Sequence, residues 1–427
     1  MFQRFVSGKL MDVLSNSPVV LLHGPPECGK SMVVKALSEA APHKNESSHE
    51  PYKYFSFRDS HTEELASRDP IRFFEQLPDY VILDHVTYSE EMFVALHNRI
   101  KADRKPGAFI FARRTGEFMR EFEKKFGKEL ACVPMYPLAQ SEVNAQTTEL
   151  SFKWGTNSLL SCLLEGRVPL AVQDVKLYGE DLAKIVVDGG YPEPLQLPRD
   201  QRRDWYLAYI NSIWRLQFFV MLHGIDAIPI FMSRIVEQTT TFYGVSRLSK
   251  ETKMPRHMLQ SLLSQLHESF ITELLPVWPT NTVSRMKSKK LYMSDTGLAS
   301  LMLNLDSDQL WQNRPLFEKL VENLIYLELR RQLSWMKNSN ELYHCQDKGQ
   351  AKVDFVIEQP DQTITGINVA AGGSVSDADF DGLRHVAARV PSFNLGVVLY
   401  DGESVMRFDE QMLAVPIRML FENGLVE

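Results

Sequence analysis

Residues 1–150 alternate short apolar runs with amphipathic stretches. The runs lie at 18–23, 52–57, 80–84 and 108–112, and the intervening stretches at 62–77 and 89–103 have apolar residues at helical spacing. Short runs of this kind are typical of strands in a parallel sheet, and helical spacing is typical of helices packed against it. The pattern therefore predicts an α/β domain with a parallel sheet.

The rest of the chain has two further patterns. Residues 227–293 predict helix, short helix, helix, strand, turn and strand, with the second and third helices at 245–252 and 256–268. After residue 299 a helix opens at 316, and strands are predicted at 351–357 and 363–370. The chain is thus expected to contain several domains, with α/β patterns at both ends.

The segment after the first apolar run reads G-x-x-x-x-G-K-S, from Gly24 to Ser31. A strand before it and a helix after it give the context that a phosphate-binding loop requires. The glycines let backbone N–H groups point inward, Lys30 reaches the outer phosphates, and the Ser31 hydroxyl is a magnesium ligand. A Gly-Pro turn with a chance lysine is the alternative. We predict that ATP and Mg²⁺ bind here, with contacts from Gly24, Pro25, Glu27, Cys28, Gly29, Lys30, Ser31 and Met32.

The third apolar run ends in Asp84, which is predicted to hold the magnesium ion through water. The alternative is a strand-ending aspartate that caps a turn. A hydrolytic ATPase of this type usually has glutamate at the next position to polarise the attacking water, but here the residue is His85. His85 can act as a base, or Glu90 or Glu91 can substitute. The sequence therefore leaves hydrolysis open.

The fourth apolar run is followed by Arg113, Arg114 and Thr115. A polar residue at this strand end senses the γ-phosphate in ATPases. Two arginines near a phosphate site can supply transition-state charge in cis or reach a neighbouring subunit. The alternative is a pair of surface arginines.

Further short motifs follow in order. They are Leu83-Asp84, Tyr136-Pro137-Leu138 with Ser141-Glu142, Gly189-Gly190-Tyr191-Pro192-Glu193, Ser294-Asp295-Thr296-Gly297-Leu298, Leu316-Phe317-Glu318 and Val353-Asp354-Phe355. With the P-loop, their order and spacing resemble the bacterial and archaeal AAA-type P-loop ATPases that carry a winged-helix module and a C-terminal restriction-endonuclease-like domain of unknown function. The resemblance covers nearly the whole chain. It implies an ATPase domain at 1–150, a helical lid at 151–226, a winged helix at 227–298 and a restriction-endonuclease-like domain at 299–427.

Two positions depart from this family's pattern. The lid helix usually ends in Arg-Asp, but Leu216-Gln217 stands there, with Arg215 as the nearest substitute for a nucleotide contact. Nucleases of the C-terminal fold use an aspartate on one strand and Glu-x-Lys on the next to bind metal and position water. Here Asp354 is present, but the second motif reads Asn368-Val369-Ala370. Glu318 and Asp354 alone make a poor cation site, so this departure from the family's motif predicts a pseudo-nuclease.

The predicted winged helix leaves two roles open. Its third helix and a basic tip with Arg285, Lys287, Lys289 and Lys290 are able to grip a DNA backbone. Few base-reading side chains lie on that helix, and winged helices also serve as protein-interaction modules. DNA contact is therefore possible on this pattern, but it is not favoured.

Composition narrows the expected cellular compartment and the expected classes of partner. The net charge of -7 gives no overall attraction to nucleic acid or acidic membranes, and the four scattered cysteines fit a reducing cytoplasm. No apolar run reaches membrane-spanning length. We expect a cytoplasmic ATP-binding protein, either a slow Mg²⁺-dependent ATPase that couples nucleotide state to its winged-helix and pseudo-nuclease domains, or a non-hydrolysing interaction scaffold or DNA-binding module. An oligomer and an unknown protein partner are compatible with both.

Overall fold

The computed structural model describes residues 2–40, 51–86, 90–102, 104–114, 117–145, 158–167, 175–217, 227–242, 244–280, 288–346 and 352–422. Thr115, Arg285, Lys287 and the side chains of residues 215–217 lie outside the described part. The chain divides into two compact units. The first is formed mainly by Arg4–Pro137, and the second mainly by the chain from Leu138 onward.

The first unit contains a five-stranded sheet in which every pairing is parallel, with the strand order β2-β3-β4-β1-β5. This confirms the parallel α/β sheet that the apolar runs predict. Its elements are α1 (Val6–Leu14), β1 (Val19–Gly24), α2 (Lys30–Ala40), β2 (Lys53–Ser56), α3 (Ser60–Arg68), α4 (Pro70–Glu75), β3 (Val81–Asp84), α5 (Glu90–Ala102), β4 (Phe109–Arg114), α6 (Glu117–Phe126) and β5 (Leu130–Pro134).

Strand register places the candidate residues at one edge of this sheet. His23 pairs with Arg113 and Gly24 with Arg114, while Asp84 pairs with Ala112. The carboxyl ends of parallel strands form the crevice where ligands bind in open α/β sheets. The stretch at 62–77 is two helices rather than one, because Asp69 accepts a hydrogen bond from the Arg72 backbone N–H and Pro70 begins α4.

The second unit contains the remaining helices and strands. They are α7 (Gln140–Val143), α8 (Leu159–Leu164), α9 (Glu180–Asp188), α10 (Pro192–Gln196), α11 (Arg199–Gln217), α12 (Ala227–Glu237), α13 (Val245–Thr252), α14 (Arg256–Glu268), β6 (Thr272–Leu275), β7 (Lys290–Met293), α15 (Thr296–Met302), α16 (Ser307–Gln312), α17 (Arg314–Trp335), β8 (Glu341–Gln346), β9 (Lys352–Glu358), β10 (Ile364–Ala370), α18 (Asp381–Ala387), β11 (Phe393–Tyr400), β12 (Met406–Arg407), β13 (Met412–Pro416) and α19 (Ile417–Phe421).

A six-stranded mixed sheet and a separate hairpin organise this unit. The sheet order is β12-β13-β11-β10-β9-β8, and β6 pairs with β7 in an antiparallel hairpin. Helices α13 and α14 have the bounds that the sequence predicts. Helix α17 is buried on most of its surface, so it supplies both apolar and charged side chains to the interior. None of the described helices combines the length and apolar character that a membrane span requires.

Candidate nucleotide-binding site

The loop between β1 and α2 has a backbone that few other sequences can adopt. A Cβ atom on Gly24 would lie 1.9 Å from the Met135 carbonyl oxygen, so only glycine fits there. Glu27 and Gly29 have φ angles of 57° and 99°, in the left-handed region. Helix α2 then begins at Lys30. The turn required by a phosphate-binding loop is therefore present between the predicted strand and helix.

Lys30 lies inside this loop. Its ammonium group is buried and donates hydrogen bonds to the carbonyl oxygens of Gly24, at 3.1 Å, and Pro25, at 2.5 Å. Cys28 is also buried, with its Sγ 3.7 Å from Lys30 Nζ. Glu27 and Met32 are exposed. An anion that enters the loop thus meets a lysine whose present acceptors are neutral carbonyl groups.

Arg4, which sequence reasoning missed, braces the loop from outside. Its Nη1 donates to the Cys28 carbonyl oxygen at 2.5 Å, and its Nη2 donates to the Tyr136 carbonyl oxygen at 2.6 Å. The guanidinium therefore ties the loop to the segment that follows β5. No local motif marks this role, because both acceptors are main-chain groups far away in sequence.

Asp84, at the end of β3, has two unlike oxygens. Oδ2 accepts a 2.7 Å hydrogen bond from the Tyr54 hydroxyl on β2. Oδ1 is buried and accepts no hydrogen bond from any described residue. A buried carboxylate oxygen without a donor is costly, and a bound cation would satisfy it.

His85 lies beside that oxygen. Its Nε2 is 3.7 Å from Asp84 Oδ1 and 3.4 Å from Ser31 Oγ. The φ angle of His85 is 59°, which is unusual outside glycine, and its backbone N–H donates to the Ala112 carbonyl oxygen at 3.1 Å. The structure thus brings together three of the predicted site residues, namely Ser31, Asp84 and His85.

Burial sets the protonation of the two histidines in this region. It lowers the pKa of His85 below the usual histidine value, although the charge of Asp84 opposes the shift. On β1, burial and then the charge of Lys30 lower the pKa of His23 to about 4. Both imidazoles are therefore neutral at pH 7.

Arg113 and Arg114 end β4, beside the start of the loop. Both are half-buried, and burial lowers the pKa of Arg113 to about 10, so it remains charged at neutral pH. Arg114 Nη2 is buried without a hydrogen-bond acceptor among the described residues. Glu90 and Glu91, the alternative bases, are exposed in the first turn of α5.

The second unit contains a different charged cluster, which corrects two expectations. Lys290 is not part of a basic tip: its buried ammonium lies 3.3 Å from Glu322 Oε1 and 3.5 Å from Asp354 Oδ1. Glu318 is exposed, and Glu322, one turn later on α17, is the carboxylate that shares Lys290 and Lys352 with Asp354. The reason is the packing of α17, which buries the Glu322 side chain and leaves that of Glu318 exposed.

Lys352 and Asn368 complete this cluster. Lys352 Nζ lies 2.7 Å from Asp354 Oδ1 and 3.6 Å from Glu322 Oε2. Although burial lowers it, the charges of Asp354 and Glu322 raise the pKa of Lys352 overall. The Asn368 amide accepts from the Asp354 backbone N–H and donates to the Asp379 carbonyl oxygen, each at 3.0 Å. Two lysines and two carboxylates thus neutralise each other here.

A cavity of about 290 Å³ adjoins the cluster and is lined in part by Lys352, Asp354, Asn368 and Ala370. Asn368 and Ala370 occupy the positions where the resemblance implies glutamate and lysine. The Asn368 amide is used for hydrogen bonds to the main chain, and Ala370 has no polar side chain. Among the described residues, no group of three or more His, Cys, Asp or Glu side chains has a metal-binding arrangement.

Comparisons with known proteins match three segments of the chain. Residues 16–144 match an AAA domain, residues 179–309 match a domain of unknown function (DUF8612), and residues 317–420 match a domain of unknown function (DUF4143). Uncharacterised proteins of Mycobacterium bovis and Mycobacterium tuberculosis are each 20% identical over 437 residues, covering 100% of this chain and 86% of theirs.

Among solved structures, a Walker-type ATPase of Pyrococcus abyssi is 15% identical, with a TM-score of 0.39 over 71% of this chain and 96% of that chain. This structural similarity is too low to support an assignment. The assignment of residues 16–144 depends on the family match, the parallel sheet and the loop from Gly24 to Ser31. Residues 16–144 are a P-loop domain of the AAA type.

Proposed function

We propose that the first unit binds ATP with a divalent cation, hydrolyses it slowly, and passes its nucleotide state to the second unit. The observation that carries this proposal is the pairing of a P-loop with an unsatisfied buried carboxylate oxygen, Asp84 Oδ1. Hard divalent cations take oxygen ligands from carboxylates and hydroxyls, and Mg²⁺ also takes them from substrate phosphates. Ser31, Asp84 and an entering nucleotide together supply this donor set.

Each residue then has a definite role. The loop N–H groups between Gly24 and Met32 surround the phosphates, and Lys30 exchanges its carbonyl acceptors for phosphate oxygens. Ser31 and Asp84 would hold Mg²⁺, which would offset the negative charge of the phosphates. Arg113 and Arg114, which follow Ala112 on β4, are the candidates to stabilise charge on the γ-phosphoryl group.

Slow hydrolysis follows from His85. Its Nε2 contacts Ser31 Oγ and lies near Asp84 Oδ1, so it polarises a water molecule only by leaving these neighbours. A neutral imidazole is able to accept a proton, which makes His85 a weak but chemically reasonable base. If His85 never moves away from Ser31 and Asp84 to reach a water molecule, the protein is the non-hydrolysing scaffold.

For the second unit we propose a winged helix and a restriction-endonuclease-like domain without nuclease activity. Helices α13 and α14 with the β6–β7 hairpin support the first assignment. The internal pairing of Lys290, Lys352, Glu322 and Asp354 supports the second, because it leaves little negative charge for a metal ion. Burial of Lys290 also removes one cation from the proposed DNA-binding tip, which favours a protein partner over DNA.

The test measures ATP binding and phosphate release for the full chain in Mg²⁺. Lys30→Ala should lose both, whereas Lys101→Ala, a change of an exposed lysine on α5, should lose neither. His85→Glu should raise turnover without tighter binding if the base is the missing element. Binding without turnover in wild type and in His85→Glu supports the scaffold. Wild type that binds no ATP would overturn the proposal.

A second measurement tests the C-terminal assignment. Wild type should not cleave duplex or single-stranded DNA in Mg²⁺ or Mn²⁺, with or without ATP. Metal-dependent cleavage that disappears in Asp354→Asn would show that the lysine-paired carboxylates are catalytic after all.

A further inference from the structure

The cation position beside Asp84 has a nitrogen donor that a magnesium site does not need. His85 Nε2 lies near two oxygen atoms, Ser31 Oγ and Asp84 Oδ1. The nitrogen lies 3.4 Å from the hydroxyl oxygen and 3.7 Å from the carboxylate oxygen. Tetrahedral ligands on one ion with bonds of 2.0–2.1 Å are about 3.3 Å apart. The nitrogen therefore lies close to the separation from each oxygen that two ligands of one ion have.

The conformation of His85 accounts for this convergence. In an extended strand the residue after Asp84 would direct its side chain to the opposite face of the sheet. The φ angle of 59° and the hydrogen bond from its N–H to the Ala112 carbonyl oxygen instead place the imidazole beside Ser31. A left-handed backbone is strained for a residue with a Cβ atom, so the surrounding structure must hold His85 in this conformation.

Independent evidence for a ligand comes from Asp84. Its side chain is 1% exposed, and Oδ1 has no hydrogen-bond donor among the described residues. Tyr54 already fixes Oδ2 at 2.7 Å, so the carboxylate cannot rotate freely to satisfy both oxygens. The imidazole nitrogen lies 3.7 Å from this unsatisfied oxygen, so one cation is able to contact both after a small adjustment.

We propose that Ser31, Asp84 and His85 form a metal site that prefers a divalent first-row transition ion, such as Co²⁺ or Zn²⁺, to Mg²⁺. Imidazole is a good ligand for such ions, whereas Mg²⁺ prefers oxygen donors. The inference rests on the proposed function in that Ser31 and Asp84 are also the predicted ligands of the nucleotide-bound cation. It goes beyond that function by making His85 a direct ligand, and it requires no nucleotide.

The experiment titrates the full chain with Co²⁺, Mn²⁺ or Mg²⁺ alone, by calorimetry and by the visible absorption of bound Co²⁺. His85→Ala should weaken Co²⁺ binding by roughly tenfold or more and change the Co²⁺ spectrum, while Mg²⁺ binding changes by less than about twofold. Asp84→Asn should lose all three ions. His61→Ala, at an exposed position on α3, is the matched control and should match wild type.

Equal Co²⁺ affinity and identical spectra in wild type and His85→Ala would overturn the inference and assign Nε2 a hydrogen bond to Ser31 instead. ATP binding in Mg²⁺ is measured on the same samples. If His85→Ala and wild type bind ATP alike but differ in Co²⁺ affinity, both proposals stand. If ATP binds and Co²⁺ affinity is unchanged, only the metal preference falls. If Co²⁺ binds through His85 but ATP does not bind, only the nucleotide proposal falls.

Discussion

Asp84 and Asp354 are both buried strand aspartates, 1% and 4% exposed, but their partners differ. Asp84 accepts a hydrogen bond from Tyr54 at Oδ2, and its Oδ1 has no donor among the described residues. Asp354 has Lys352 at 2.7 Å and Lys290 at 3.5 Å from Oδ1, and its Oδ2 accepts from the Val369 backbone N–H at 3.2 Å. One carboxylate has an oxygen that no described residue satisfies, and the other is paired internally.

The lysines make this difference. In the first unit, Lys30 donates to the carbonyl oxygens of its own loop, which keeps the ammonium available for an anion and leaves Asp84 available for a cation. In the second unit, Lys290 and Lys352 approach the carboxylates directly. A buried charge is tolerated only with a partner, so the choice between an internal and an external partner separates a binding site from a structural cluster.

The largest expected effect comes from removing an internal partner. Lys290→Met should lower the free energy of unfolding of the second unit by about 3–5 kcal/mol, because Glu322 and Asp354 are left with too little positive charge. All six tryptophans lie after residue 150, so urea unfolding followed by tryptophan fluorescence reports on the second unit. Lys289→Met, at the exposed neighbouring position, should change stability by less than about 0.5 kcal/mol.

The comparison breaks if the two lysine variants are equally stable. A second result would also contradict it. Removing Lys290 leaves Glu322 and Asp354 with excess negative charge, which should allow Mg²⁺ or Mn²⁺ at about 10 mM to bind them. If Lys290→Met is destabilised but neither ion binds, the difference between this cluster and Asp84 lies in geometry rather than in charge.

Sequence reasoning succeeded where the signal is local. The strand and helix patterns, the loop from Gly24 to Ser31 and the bounds of α13 and α14 depend on neighbouring residues, so periodicity and spacing reveal them. The sequence also shows that His85 stands where hydrolytic ATPases usually have glutamate. It does not show the left-handed backbone of His85, because nothing in the local composition specifies a positive φ at a histidine.

The misses share a physical cause. Arg4 and Tyr54 act through contacts with distant segments, and no spacing rule connects them to the loop or to Asp84. Lys290 follows other basic residues and therefore resembled a solvated tip, although the hairpin directs it inward. Glu318 and Glu322 are one turn apart on α17, and only the packing of the helix decides which one is buried.

An intermediate loss of stability is expected in acid. Each of the two sites has a buried histidine near its lysine, and this histidine is neutral at pH 7. Burial and Lys30 lower the pKa of His23 to about 4, and burial and Lys290 lower the pKa of His344 to about 4. Because the unfolded chain titrates near 6.5, it binds more protons than the folded chain below that pH. The stabilisation is present above pH 6.5 and is lost as the pH falls toward 4, by about 3 kcal/mol for each histidine.

Unfolding at pH 7 and pH 4.5 measures this loss. His344→Asn should flatten the pH dependence of the tryptophan-detected transition, and His23→Asn should flatten that of the remaining change in circular dichroism. His61→Asn, at an exposed position, should leave both unchanged. If His344→Asn retains the full acid sensitivity of wild type, carboxylate protonation rather than His344 accounts for it.

The smallest expected effect on stability compares Asp84 with Glu322, the carboxylate that shares its lysines with Asp354. Each of the two accepts a hydrogen bond from a tyrosine. Tyr54 donates to Asp84 at 2.7 Å, and Tyr292 donates to Glu322 at 2.8 Å. Tyr54→Phe and Tyr292→Phe should each cost about 1 kcal/mol of unfolding free energy without ligand. In saturating Mg²⁺ and ATP, the cost of Tyr54→Phe should fall, because the bound cation compensates Asp84 in the folded state. The cost of Tyr292→Phe should stay the same, since lysines already pair Glu322. If the cost of Tyr54→Phe is also unchanged by ligand, no bound cation compensates Asp84, and the distinction between the two sites is removed.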